Sequence, residues 1–203
     1  MNLYFTRHGE TEWNVKKKIQ GTTDTSLNEN GIRQAKLLAQ TLLNKRESGA
    51  FHPVRVYTSP YLRAAQTAQI LADALHIPCE TMDGLREMDL GEWEGLNWDI
   101  IRAEYGERYL FWNSHRRFVH TPGGENYDEV LGRTLAALDE ILARETKDVL
   151  IVTHSAVLMA LRCYLAGLPF EEMVRCFRTK NTELVMLEET EIRQAVRRYA
   201  AGE

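Results

Sequence analysis

Leu3-Tyr4-Phe5-Thr6-Arg7-His8-Gly9-Glu10 is a short apolar run that passes directly into an Arg-His-Gly triplet. An apolar run of this length reads as a buried strand. The residues just past its carboxyl end then emerge at the rim of a sheet, where open α/β folds place their ligands. An arginine, an imidazole and an unhindered glycine backbone emerging together set a fixed positive charge beside a nucleophile or base. Because a guanidinium grips phosphate oxygens in a bidentate fork, the triplet points to an anionic substrate, and to phosphate above all.

Three further segments extend the pattern. Val54 to Thr58 leads into Ser59-Pro60-Tyr61-Leu62-Arg63-Ala64-Ala65-Gln66-Thr67, and Leu85-Arg86-Glu87-Met88 precedes Gly91-Glu92-Trp93-Glu94-Gly95. Val149-Leu150-Ile151-Val152-Thr153 ends on His154 as the first run ends on His8. Taken in order, with Trp13-Asn14 behind Arg7-His8-Gly9-Glu10-Thr11, these segments resemble the histidine phosphatase superfamily, the phosphoglycerate mutase-like family. The resemblance runs from Leu3 to about Leu187. It implies an α/β fold: a three-layer α/β/α sandwich around a mostly parallel central sheet. One domain over residues 1–203 is expected, and the aromatic-rich stretch from Met88 to Pro122 reads as a mostly helical excursion from the sheet that covers the site, at about 88–122.

Apolar runs alternating with helical periodicity agree with that layering. Asn28 is placed to cap a helix with apolar positions at Ile32, Ala35, Leu38 or Ala39, and Leu42. Ser59-Pro60 reads as an N-cap with proline at the first helical position, the helix ending before Pro78. Short strands are expected over Ile77 to Met82 and Glu183 to Leu187. Asn126 and Glu129 form a capping-box pattern ahead of Val130, Leu135, Leu138 and Ile141. A helix over Ala156 to Ala166 stops at Gly167, and Arg193 to Tyr199 reads as an edge strand or frayed tail.

The chain of 203 residues is long enough for one well-buried core. Its net charge of −4 argues against a general nucleic-acid binder, which needs a dominant basic surface. Cys79, Cys163 and Cys176 have no metal-type spacing and read as free thiols of a reducing cytosol. Arg7 and His8 interrupt the first apolar stretch, and His154 and Arg162 interrupt Val149 to Leu168, so neither a leader nor a membrane span is expected. The expectation is a cytoplasmic protein, monomer or homodimer, without nucleic-acid or membrane partners.

Phosphoryl transfer without a metal needs a nucleophile, positive charge around the equatorial oxygens and an acid for the leaving oxygen. A neutral imidazole can attack phosphorus at physiological pH, which makes His8 the candidate nucleophile; the resemblance implies a covalent phosphohistidine there. Arg7 and Arg63 are the candidate clamps, Arg63 because helical side chains lean toward the amino end of their helix. His154 is assigned phosphate binding and stabilisation of transition-state charge, as a cation. The family's common Ser-His-Gly pattern is replaced here by Thr153-His154-Ser155, so Ser155 either contacts phosphate or caps the next helix, the cap being favoured. The resemblance also implies substrate contacts from Asn14, Gln20 and Gly21. Glu87 is the candidate proton donor, with Asp89 and Glu92 as nearby rivals. Among the excursion's aromatics, Trp93 and Trp98 read as core, while Arg116 and Arg117 are candidates to read a second anionic group.

The reading is a metal-independent phosphomonoester hydrolase of the histidine acid phosphatase type, with a small phosphorylated substrate and no cofactor. Gly123-Gly124-Glu125 is similar to what α-ribazole phosphatases and fructose-2,6-bisphosphatases carry. A cofactor-dependent phosphoglycerate mutase shares every catalytic residue and is the alternative. From other classes come a metal hydrolase using His8, His154, Glu87 and Asp89, and a regulatory module without activity.

Overall fold

A computed structural model describes residues 1–202. In chain order the elements are β1 (Asn2–Arg7), α1 (Glu12–Val15), α2 (Glu29–Glu47), β2 (Val56–Thr58), α3 (Leu62–Leu75) and β3 (Cys79–Thr81). After two short 3-10 turns come α4 (Trp98–His115), α5 (Tyr127–Arg144), β4 (Val149–Thr153), α6 (Ser155–Leu165), α7 (Met173–Phe177), β5 (Leu184–Glu188) and α8 (Glu189–Ala200). The strands form one sheet in the order β3-β2-β4-β1-β5, parallel except for the β1–β5 pair.

Alternation along the strands builds a core on each face. Leu3, Phe5, Tyr57, Val149 and Ile151 pack with apolar residues of α5 and α6, while Val56, Leu150 and Val152 pack with α2 and α3. Both faces are therefore covered, giving the expected three layers. Each fully buried Leu, Ile or Phe contributes about 1.5–3 kcal/mol over its exposed state. Among the described residues, no helix is long and apolar enough to cross a membrane.

Local signals account for most element boundaries. Asn28 accepts from the Gly31 N–H at 2.8 Å and starts α2, and Asn126 with Glu129 forms the reciprocal box that starts α5. Ala35, Leu38, Ala39 and Leu42 are buried as expected, but Ile32 is on the exposed side. Two expectations fail. α3 begins at Leu62, with Tyr61 as its cap residue, because the Ser59 hydroxyl is committed elsewhere and Asp24 takes the Leu62 N–H at 2.7 Å. The segment from Arg193 to Tyr199 is part of α8: Ile192 and Ala195 are buried on one helical face, and Glu188 and Glu191 close a capping box. Its charged residues hide that narrow apolar stripe from a strand-length reading.

Register fixes the site. Arg7 pairs with Thr153 on β4, and the His8 N–H donates to the Thr153 carbonyl at 3.0 Å. His8 and His154 therefore leave adjacent parallel strands side by side. α2 sits flush on the segment that follows β1: a Cβ on Gly31 would lie 2.1 Å from the Glu10 carbonyl oxygen, and one on Gly9 would lie 2.6 Å from that of Gly31. Gly31→Ala should therefore destabilise the protein by about 1–3 kcal/mol in urea unfolding, the usual cost of overpacking. Leu37→Ala, on a side chain 70% exposed, should stay within about 0.5 kcal/mol. Equal midpoints for the two variants would show that this contact does not constrain the rim.

Candidate active site

His8 is 2% exposed, and its Nδ1 lies 2.7 Å from the Gly9 carbonyl oxygen. A carbonyl only accepts, so Nδ1 carries the hydrogen. Burial and the charges of Arg7 and Arg63 hold the imidazole pKa well below its ordinary value, so the ring is neutral at pH 7. In a neutral ring with Nδ1–H, the lone pair belongs to Nε2. The Gly9 N–H donates to Thr67 Oγ1 at 3.0 Å, and that hydroxyl donates to the Arg63 carbonyl at 2.7 Å. One threonine thus joins the glycine that orients His8 to the helix that carries Arg63.

Two guanidiniums flank the imidazole. Arg7 donates from Nη1 to the Thr179 carbonyl at 3.0 Å; Arg63 donates to the carbonyls of Thr23 at 2.9 Å and Gly21 at 2.7 Å. The Nε of each is buried without a partner. Desolvation lowers the pKa of both, partly offset by the Glu87 carboxylate. The loop supplying the Arg63 carbonyls is pinned by Glu94, which accepts from the backbone and hydroxyls of Thr22 and Thr23. Gly21 has a φ of 50°, and a Cβ there would collide with the Glu94 carboxylate. Gln20 Oε1 accepts from Thr11 and Thr25 within the same loop.

His154 is fully buried, its ring centroid 5.2 Å from that of His8. Its Nε2 lies 2.7 Å from Ser59 Oγ, and its Nδ1 has no partner. The expected cation is not what the ligand-free site holds: burial, then Arg63, His8 and Arg7, push its pKa well below the ordinary value. An anion placed among these groups would reverse that balance. His154 is also the N-cap residue of α6, making Ser155 the first helical residue rather than the cap.

Glu87 accepts from the Met88 N–H at 3.0 Å and from the Ala156 N–H, at the start of α6, at 3.4 Å. Its charge acts on both Arg7 and Arg63. Its rivals are placed differently: Asp89 takes the Gly91 N–H at 2.8 Å, and Glu92 is exposed. Arg133 holds the Glu87 segment by donating to the carbonyls of Gly84, Arg86 and Glu87 and to Glu125. Asn14 Oδ1 accepts from the Thr11 N–H and from Asn181 Nδ2, the latter also donating to the His8 carbonyl at 2.8 Å. With its oxygen occupied by these two donors, Asn14 has its Nδ2 amino group left to donate to an oxyanion.

The structure thus brings together His8, Arg7, Arg63, Glu87, His154, Asn14 and the Gln20-Gly21 loop. It does not bring Arg116 and Arg117 to them. Arg116 is 5% exposed, bonded to Asn113 and stacked over Trp112. Arg117 pairs with Asp128 at 2.9 Å and lies over the rings of Phe118, Tyr164 and Phe170. Both arginines close the excursion against α5 and its neighbours, since aromatic faces and a carboxylate outcompete open solvent for them. Trp93 is core as expected, whereas Trp98 is 38% exposed. Among the described residues, no three or more His, Cys, Asp or Glu side chains are grouped to hold a metal ion.

Residues 3–202 match the profile of the Histidine phosphatase superfamily (branch 1). The chain belongs to that superfamily. A metal-independent phosphoserine phosphatase of Arabidopsis thaliana is 36% identical over 163 residues, 78% of this chain and 66% of the relative. A probable phosphoglycerate mutase of Yersinia pestis is 35% identical over 185 residues, 91% of this chain and 83% of the relative. Among solved structures, a mycobacterial glucosyl-3-phosphoglycerate phosphatase in complex with VO3 superimposes with a TM-score of 0.81 at 28% identity, covering 92% of this chain and 90% of that one.

The two depressed imidazoles have a thermodynamic consequence. Between each folded-state pKa and the ordinary 6.5, the unfolded chain binds a proton that the folded chain refuses. Stability of the ligand-free protein should therefore be complete above about pH 6.5 and fall below it, by up to about 1.4 kcal/mol per pH unit for each histidine. Urea unfolding between pH 7.5 and 5.5 reads this directly, and vanadate should flatten the profile. A flat profile without the anion would show that the two rings are not neutral.

Proposed function

We propose that the chain is a metal-independent phosphomonoester hydrolase acting through a phosphohistidine on a small phosphorylated metabolite. The observation that carries this reading is the buried, neutral His8, its Nδ1–H held by the Gly9 carbonyl and its Nε2 lone pair left for attack. In the first step Nε2 attacks phosphorus as the bond to the leaving oxygen breaks, that bond's electron pair departing with the oxygen. Arg7, Arg63 and Asn14 donate to the equatorial oxygens, and His154, charged once the anion is bound, adds to them. Glu87, protonated by the proton that the entering phosphate monoester monoanion carries, delivers it to the leaving oxygen. In the second step Glu87 takes a proton from water, the oxygen attacks phosphorus, and the phosphorus–nitrogen bond breaks to regenerate neutral His8.

The phosphatase names carried by the Arabidopsis relative and by the mycobacterial structure support hydrolysis, and their different substrates leave that of this chain open. The Yersinia relative favours a second reading, phosphoglycerate mutase. Incubation with 3-phosphoglycerate separates the two: a hydrolase releases inorganic phosphate, and a mutase forms 2-phosphoglycerate.

His8→Ala should lower turnover by at least about 10⁴-fold, and rapid quench of the wild type with labelled substrate should trap acid-labile phosphate on His8. Activity should survive EDTA; loss restored by a divalent ion would contradict the reading. Glu87→Gln should slow alkyl phosphates by about 10²–10⁴-fold and nitrophenyl phosphate far less, because a basic leaving oxygen needs the acid and a nitrophenolate does not. Equal slowing across a leaving-group series would remove Glu87 from that role.

A further inference from the structure

Residues 178–182, between α7 and β5, are fastened to the rim that carries the nucleophile. The Thr179 carbonyl holds Arg7 Nη1 at 3.0 Å, the Thr182 N–H donates to the Arg7 carbonyl at 3.0 Å, and Asn181 Nδ2 donates to the His8 carbonyl at 2.8 Å. Asn181 also reaches Asn14, on the opposite side of His8 in the chain. Four bonds over four residues make this segment part of the site rather than a free loop. Arg178 stands at its head, next to the residue whose carbonyl grips Arg7.

Arg178 differs from every other arginine at this site. Arg7 and Arg63 are bonded to carbonyls, and Arg86 and Arg133 are paired with carboxylates. Arg178 is exposed, with neither a carboxylate nor an aromatic face as partner among the described residues. Its charge is nonetheless close enough to depress the pKa of Arg7, more strongly than Arg63 does. Two guanidiniums close enough to repel form an arrangement that a bound anion would relieve. The transferred phosphoryl group already has Arg7, Arg63 and His154.

We propose that Arg178 reads a second anionic group on the substrate, a carboxylate or a second phosphate, and so makes this site selective for phosphorylated acids or bisphosphates. The proposal rests on the phosphatase reading above. Arg178 thus takes the task for which Arg116 and Arg117 are the candidates in the sequence, both of which are committed elsewhere.

Matched substrate pairs test it. O-phosphoserine and its methyl ester differ by one carboxylate; propane-1,3-diol bisphosphate and its monophosphate differ by one phosphate. Wild type should prefer the member bearing the extra anion in at least one pair, measured as a ratio of kcat/KM. The pair that shows the preference names the source of the anion. Arg178→Ala should lower that ratio about ten-fold or more, as expected for losing a hydrogen bond to a charged group, and Arg178→Lys should restore part of it. A wild type without preference in either pair, or an Arg178→Ala variant that slows both members equally, would overturn the proposal. Failure of the wild type to hydrolyse nitrophenyl phosphate would instead defeat the phosphatase reading, so the two failures are distinguishable.

Discussion

Two guanidinium groups at the heart of this protein, Arg63 buried and Arg7 half-buried with its Nε out of solvent, have backbone carbonyls, not carboxylates, as their bonded partners. A buried charge without a counter-ion is costly, and the carbonyls of Gly21, Thr23 and Thr179 satisfy hydrogen bonds without cancelling it. The remaining positive field sets the state of everything nearby. Together with burial, the larger cause, it holds His8 and His154 neutral, and the Nε of each arginine and the Nδ1 of His154 are buried and unpaired beside them. A tetrahedral oxyanion would supply the missing charge and the missing acceptors together. Much of the remaining structure, from Glu94 under the Gly21 loop to Arg133 behind Glu87, serves to keep those groups where they are despite their repulsion.

The sheet and the main catalytic candidates were legible because they rest on short-range signals. Two apolar strands ending on His8 and His154 need only a parallel register to meet, and that register follows from burial of both faces. Asn28 and the Asn126–Glu129 box announce their helices by side-chain chemistry at fixed spacing. Where legibility failed, a distant residue had replaced a local one. Ser59 looked like a cap, but its hydroxyl serves the Tyr61 N–H and His154, while Asp24, thirty-eight residues away, caps α3. The stripe of Ile192 and Ala195 was too narrow to declare α8 against its many charges.

Side-chain direction was the other blind point. Arg116 and Arg117 follow an aromatic-rich stretch, and nothing in their order shows that Trp112, Phe118, Tyr164 and Phe170 would claim them. Thr67, Ser59, Thr179 and Asn181 were missed for a related reason. Their roles lie in single bonds to Gly9, His154, Arg7 and the His8 carbonyl across long stretches of chain, and no motif spacing records such bonds. Thr67 and Ser59 do fall within the segment around Arg63, so a polar residue buried beside a clamp was the available signal.

The chemistry depends most on the state of one ring: His8 neutral at pH 7, with its hydrogen on Nδ1 and its lone pair on Nε2. Long-range nitrogen–carbon NMR correlation of protein labelled with ¹⁵N at its histidine rings, with His8 assigned by comparison to His8→Asn, reads that state without turnover. The account predicts a protonated-type shift at Nδ1 and an unprotonated, pyridine-like shift at Nε2, unchanged from pH 8 to below 6. Nitrogen shifts showing a hydrogen on Nε2, or a ring that titrates near 6.5, would contradict it.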